Sequence, residues 1–547
     1  MKQMSGPGAG QPRAYRTSKF EQILTVMKVT GLAAASAALL ASCATKPQPI
    51  TQQEHVQRAK DDYQTLYADY QPLQGPLTLP DAIARALKYN YNSELSKAEL
   101  SLQDKQFDLA LTQMLPRLAA TAGYNWRSND NAAESVSELT KERSLVSSFS
   151  EEPTHGTAGL EFSWNILDFG VSYYQAKQQG YRTLVAVERR RKVINGIVKS
   201  VQEAYWKAQA ANVLLPRVVP LLAEAQRMLD ASRESSRRKL EPALQSLDFQ
   251  QNLLQIIGQL KHIQADLATA RVQLASLINV PNEAVIQFPP ADMTIHAMSG
   301  PIDPRNLETI GLTMRPELRE EAYQEKIDKQ DVYKEMIKMM PGVGVLGSIN
   351  YDSNRYLYNP TWGQLGVQAS YNLVNLIEGP KAIEAAETSV KVAKTRRLAL
   401  SVAVLTQINL AYQEYQTALD DYGTTKQIDD VQRQIMVASK NISAADAQSE
   451  ADRVRRELGA MVSELSYDRS MAVVHTALVN LYNSVGVDLV PASVNTDDLG
   501  ALSQQVARGI AGWEAGQMPQ MDVVLAIPAP APKPIAVAST GTEATAH

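Results

Sequence analysis

The chain has 547 residues, a net charge of −4, 20% charged residues and 44% apolar residues. That balance describes a folded body and leaves no basic excess for nucleic acid. Its one cysteine rules out a disulfide within the chain, so packing must supply the stability.

Met27 and Lys28 precede the apolar run V-T-G-L-A-A-A-S-A-A-L-L, and Leu40-Ala41-Ser42-Cys43 follows directly. This resembles a bacterial lipoprotein signal, whose cysteine is acylated after cleavage, so Cys43 is the expected lipid anchor. Residues 1–26 form a long leader for such a signal, and Met27 is read as the true start. Ala44, in place of aspartate, is what sorting to the outer membrane would permit, by resemblance to enterobacterial lipoproteins. Beyond the signal no apolar run is long enough to span a bilayer as a helix, which argues against inner-membrane helices.

Residues from Thr51 to Tyr70 read as a short helical entry. A second helix starts at L-T-L-P-D-A-I-A-R-A-L from Leu77, where Pro80 suits the first turn and Asp81 suits the helix N-terminus. Helix continues to Leu115, and a strand pair follows. The first strand sets Leu118, Ala120, Ala122, Tyr124 and Trp126 against Ala119, Thr121, Gly123, Asn125 and Arg127. The second sets Leu160, Phe162, Trp164 and Ile166 against Gly159, Glu161, Ser163 and Asn165. Successive strand side chains face opposite ways, so one face is apolar and the other polar.

A helical run leaves this pair from about Val171 to Glu234, with a kink or break expected near Leu215 because Pro216 and Pro220 lack amide donors. The chain reverses around Arg237 to Leu247, and helix returns to about Asn279. A proline-rich connector begins at Pro281. The plan then repeats: helix from Asp303 to Met340, a strand pair with Leu346 and Gly347 as exceptions to its alternation, helix from about Lys381 to Glu450, a reversal at R-R-E-L-G-A-M-V-S-E-L, and helix to about Val485. Pro116 and Pro341 are separated by 225 in sequence, whereas Gly159 and Gly366 are separated by 207, so the first hairpin loop is longer than the second by the difference, 18. Arg237 and Arg455 are separated by 218, from which the second helical rod is expected to be longer by 218 less 207, or 11. Beyond Pro491 periodicity fades into the proline-rich I-P-A-P-A-P-K-P from Ile527.

The domain reading is a leader and signal at 1–42, an anchored segment at 43–76, a first repeat at 77–280, a linker at 281–304, a second repeat at 305–490 and a tail at 491–547. Strands of about 9–11 residues with aromatics toward their ends suit a bilayer-spanning barrel. Four strands are too few to close one, and open edges are not tolerated in lipid, so the chain must oligomerise. A soluble sandwich would give the same alternation.

These features together resemble the TolC family of outer-membrane efflux proteins. The residues that carry the resemblance are L-T-L-P-D-A-I-A-R-A-L at Leu77, M-L-P at Met114, G-L-E-F-S-W-N-I-L-D-F-G at Gly159 and A-Y-W at Ala204, with their second-half counterparts. The resemblance implies a mainly α chain carrying part of a membrane β-barrel. In it a homotrimer closes twelve strands, four per chain, above an antiparallel α-helical coiled-coil tunnel. It also implies passive conduction, either in drug or small-molecule efflux or in type I secretion, with a periplasmic adaptor and an inner-membrane transporter as partners. The reversals would form the tip that docks the adaptor, at Arg237, Arg238, Leu240, Ala243, Leu244 and Ser246 in the first half. In the second half the matching positions are Arg455, Arg456, Leu458, Gly459, Met461, Val462 and Ser463, with Gly459 expected at the turn itself. Asp446, Asp452 and Arg453 would sit at the entrance constriction. Arg127, Glu161 and Asp352 would be the charges lining the pore.

No catalytic reading competes. Gly342-x-Gly344-x-x-Gly347 has dinucleotide-fingerprint spacing, but a helix precedes it and a strand runs through it, the reverse of what that motif needs. The six histidines form no metal-ligand pattern, and no P-loop or nucleophile elbow is present. No cofactor is expected. The reading from another functional class is a lipid-anchored periplasmic coiled-coil scaffold without a pore.

Overall fold

The computed structural model describes residues 49–514 except 69, 145, 240–241, 282–283, 291–302, 444–449 and 491–497. Cys43, Leu240, Asp446 and the proline-rich stretch from Ile527 lie outside the described residues. The chain divides into two units, one ending at Asp69 and one beginning at Tyr70. In the first, helix α1 (Gln52–Leu66) opens on a capping box in which the Thr51 hydroxyl accepts from the Glu54 amide and the Glu54 carboxylate accepts from the Thr51 amide.

The second unit carries both repeats. In the first repeat, α2 (Leu79–Tyr89) and α3 (Tyr91–Thr112) precede β1 (Arg117–Trp126) and β2 (Thr154–Asn165); then come α4 (Ile166–Arg237), α5 (Ala243–Ala268) and α6 (Ala270–Leu277). The second repeat gives α7 (Pro304–Met314), α8 (Pro316–Lys338), β3 (Gly342–Asp352), β4 (Thr361–Ser370), α9 (Asn375–Ser443) and α10 (Glu450–Val485), followed by α11 (Leu499–Glu514). Asn90 ends α2 and caps α3, its side chain accepting from the Asn92 amide, so the helix expected from Leu77 to Leu115 is two. No described helix is long and apolar enough to cross a membrane.

The repeat is held to the residue. Asn90 and Arg315, at the two helix breaks, are 225 apart; Asn279 and Gly486, both in the left-handed region at φ 51° and 76°, are 207 apart. At Gly486 a Cβ would also lie 3.0 Å from the Arg315 Cα, so the glycine serves both a turn and a close approach. The core runs along α4, where Val201, Leu214, Val218, Ala225 and Leu229 are buried with Leu253 and Leu260 of α5. A second cluster joins Ile408 and Tyr415 of α9 to Leu481 and Tyr482 of α10.

Three expectations are corrected. First, α4 passes through Pro216 and Pro220 as one helix of 72 residues. Both prolines lie on the exposed side, where water can satisfy the freed carbonyls, while Leu214, Val218 and Leu221 hold the opposite side in the core. Second, α9 has 69 residues and is not the longer rod; α5 and α10 start at Ala243 and Glu450, separated by the same 207 as Asn279 and Gly486, so the expected 11-residue extension is absent. Third, the tail contains α11, whose Leu502 and Val506 are buried. It is tied down by Ser503 Oγ donating to Asp81 Oδ1 at 2.6 Å and by the Tyr482 hydroxyl donating to the Trp513 carbonyl at 2.6 Å.

Candidate functional site

The four strands form one antiparallel sheet in the order β1-β2-β3-β4. Cross-strand partners share a face, and the register carries the two faces of each strand across the whole sheet. On one face Leu118 pairs with Phe162, Phe162 with Gly347 and Gly347 with Leu365; the next row is Ala120, Leu160, Ile349 and Gly363. Trp164, Val345 and Val367 form a third. Most of these apolar side chains are exposed, Leu365 to 83% and Val367 to 74%, while Val345 is half-buried.

The opposite face reads Arg117–Ser163–Leu346–Gly366, then Ala119–Glu161–Ser348–Gln364, then Thr121–Gly159–Asn350–Trp362, then Gly123–Thr157–Asp352. Glu161 is the charge in mid-sheet on this face. Arg127 and Asp352 lie at the rim, and each is engaged locally: the Arg127 Nε donates to Asn129 Oδ1 at 3.2 Å, and Asp352 Oδ1 accepts from the Asn354 amide at 2.9 Å. Sequence reading passed over Arg117, which has the parity of Ala119 and stands at the far end of the same face. Trp362, in β4 opposite Asn350, was also passed over.

At the outer rim the long loop of the first hairpin is fixed to the turn of the second. Asn354, nearly buried, donates to the Ser150 carbonyl at 2.9 Å and accepts from the Glu152 amide at 3.2 Å, and Arg355 pairs with Glu152. His155, also buried, lies 3.1 Å from the Asn125 amide nitrogen.

At the other end of the rods, Arg237 and Arg238 both pair with Glu234, at 3.4 and 2.9 Å. Lys239 takes the left-handed turn at φ 54°. Ala243 opens α5 and Leu244 is 73% exposed, whereas Ser246 is fully buried against Ser232, 3.4 Å across the hairpin. In the second half α9 ends at Ser443 and α10 starts at Glu450, so Gly459 is inside α10 and not at a turn. Asp452, Arg453 and Arg455 lie in the first turns of α10, and Arg456 follows them. Further along, α10 forms the wall between two grooves. Gly459, Val462 and Ser463 line one of about 770 Å³, facing Gly258 and His262 of α5 and Thr425 of α9. Leu458 and Met461 line the other, of about 580 Å³, facing Pro220 and Met228 of α4.

One cluster near these grooves was not read from sequence. Arg217 of α4 reaches Glu464 at 2.5 Å and Asp468 at 3.4 Å, both on α10. Burial holds the Asp468 carboxyl above the usual range, against the pull of Arg217. Beside it the Tyr422 and Tyr467 hydroxyls meet at 3.0 Å, and that hydrogen bond together with burial pushes Tyr467 up to about 12. Nearby Asp429 pairs with Arg433 at 2.6 Å and keeps its other oxygen buried without a partner. Farther along the body, Arg191 of α4 pairs with Asp488 and with Glu188 at 3.2 Å, and donates to the Gly486 carbonyl at 3.1 Å. Asn195 donates to Asp488 at 2.7 Å.

Residues 83–280 match the family model described as outer membrane efflux protein. No curated protein sequence matches the chain. Among solved structures, the MtrE outer membrane channel of Neisseria gonorrhoeae superposes with a TM-score of 0.59 at 14% identity, covering 75% of this chain and 88% of its own. The outer membrane protein VceC of Vibrio cholerae gives 0.57 at 16%, covering 75% and 96%. The CmeC outer membrane channel of Campylobacter jejuni gives 0.57 at 12%, covering 85% and 94%. At these identities the superpositions show the fold. Residues 83–280 thus resemble the outer membrane efflux protein family, and both repeats together share the fold of these outer membrane channels.

Proposed function

We propose that this chain is the outer-membrane duct of a three-part export system. Three copies close a twelve-stranded barrel in the outer membrane, and an acylated Cys43 adds a lipid anchor. The helical rods extend into the periplasm and meet an adaptor, through which an inner-membrane transporter delivers substrate. Conduction is passive. The observation that carries this reading is the sheet, whose exposed apolar face suits hydrocarbon while its other face, mostly small and polar, suits a water-filled wall. Its two outer edges, on β1 and β4, need partners within lipid.

In this reading Glu161 sits in the wall, with Arg127 and Asp352 at its outer mouth. The adaptor meets the tip from Arg237 to Ser246 and along α10 from Arg455 to Ser463, where the two grooves lie. Asp446, Asp452 and Arg453 fall at the reversal of the second half, where the entrance narrows. The cargo in this reading is either a small molecule, in efflux, or a protein, in type I secretion.

Planar-bilayer recording of the detergent-purified protein tests the reading. Discrete channels are expected, and Glu161→Gln, which removes one wall carboxylate per copy, should move the reversal potential in a salt gradient toward anion permeation. Folded protein that never conducts would instead indicate the lipid-anchored scaffold.

A further inference from the structure

We propose that the internal repeat encodes the seam between neighbouring copies: α3 of one copy lies on α9 of the next as α8 lies on α4 within the chain. The inference rests on the homotrimer proposed above and gives it a residue-level register. Helices α3 and α8 correspond at a spacing of 225, starting at Tyr91 and Pro316; α4 and α9 correspond at 207, as the left-handed Asn279 and Gly486 do. Each contact between α4 and α8 therefore names a pair on α9 and α3.

The faces so named are those the single chain leaves uncovered. Ile327 of α8 is 5% exposed, and its counterpart Leu102 of α3 is 55% exposed; Val185 of α4 is 6% exposed and Val392 of α9 is 54%. Leu95, Leu102 and Leu109 form a stripe of heptad spacing along α3, all exposed, the spacing of a helix–helix seam.

The named pairs are also chemically matched. Gln178 Nε2 donates to the Ile327 carbonyl at 3.1 Å, which maps to Ala385 against Leu102. Arg191 and Asn195, which hold Asp488, map to Leu398 and Val402 against Pro281, so a polar triad becomes an apolar one at all three positions together. Leu398 is 51% and Val402 64% exposed. The stacked rings of Tyr174 and Tyr333, 5.6 Å apart, map to Lys381 and Asp108, opposite charges. Asp108 has the exposed Lys105 at 3.4 Å within its own helix, which leaves it accessible to a second cation. The least matched position is Arg396 against Leu95, counterparts of Arg189 and Glu320; there the arginine stem can cover the leucine.

The test is charge reversal on the full-length protein in detergent, with mass from light scattering. Asp108→Lys alone and Lys381→Asp alone should each lower the trimer association constant about tenfold, one like-charge contact arising at each of the three seams. The double variant should return to wild-type association, and circular dichroism checks that each variant keeps its helices. In parallel, Leu102→Cys with Ala385→Cys should give covalent oligomers with a short thiol-to-thiol linker, while each single variant should not. Trimers that ignore both reversals and do not link at 102 and 385 would overturn this register while leaving the trimer intact. Wild-type protein that is monomeric throughout would overturn the homotrimer itself.

Discussion

At the scale of residues, charge placement separates wall from clamp. Asp468 is raised by burial, so the folded chain binds its proton more readily than the unfolded chain does. Its contribution to stability is therefore fully present below the ordinary aspartate range and is lost as pH rises through the raised value. Asp468→Asn, which fixes the neutral form, should be at least as stable as wild type at neutral pH. The difference between the two melting curves should close as pH falls from about 7 to about 4. A gap that widens on acidification would show that the ion pair with Arg217 dominates over burial. The same residues mark what sequence could not supply. Glu161 and Arg117 are legible from strand parity alone, because a period of two needs only neighbours. Arg217 with Asp468, or Arg191 with Asp488, join distant parts of the chain, the second pair across 297 in sequence, and no local pattern announces such partners.

At the scale of elements, the strands were legible to within a few residues because their register follows from alternation. Helix ends were less so. Gly459 looked like a turn glycine, yet a glycine is tolerated inside a helix at a cost of about 1 kcal/mol, and the flanking buried Leu458 and Leu465 keep α10 helical through it. The helix at 499–514 carried its signal openly, since Leu499, Leu502, Val506, Ile510 and Trp513 recur at helical spacing, but the prolines beyond it drew the reading toward an irregular tail. Pro216 and Pro220 were given too much weight for a related reason: the penalty of a proline depends on which side of the helix it faces. Both are exposed in α4, so Pro220→Ala restores an amide donor without disturbing the core. That variant should raise the thermal midpoint, with a gain of about 1–3 kcal/mol at the helix. A lowered midpoint would show that the ring itself packs in the groove it lines with Arg217 and Met228.

At the scale of the whole molecule, duplication explains both the economy of the fold and its asymmetries. The two halves share helix breaks, left-handed turns and strand register, and α5 and α10 start at Ala243 and Glu450 in the same 207 register. They differ in the first hairpin loop, whose extra length, latched by Asn354 and Arg355, distinguishes the outer rim. The architecture was legible because it is written twice, and a repeat in sequence is evidence that one solution serves two places. What remained illegible was how the longer loop of the first hairpin is fixed to the turn of the second.

The exposed apolar rows of the sheet also bear on how the protein is made. A newly exported chain in the aqueous periplasm would present these rows and two open strand edges to every similar chain nearby, the condition for aggregation. The helical body has its own cores along α4 and α9 and can form in water. Biogenesis should then proceed in two stages, with rods first and strand closure only on contact with lipid and sister chains. Refolding from denaturant into buffer should recover helical circular dichroism without a heat-modifiable oligomer band, and adding detergent micelles afterwards should bring that band in. Recovery of the band in buffer alone would mean that the sheet can close without a membrane.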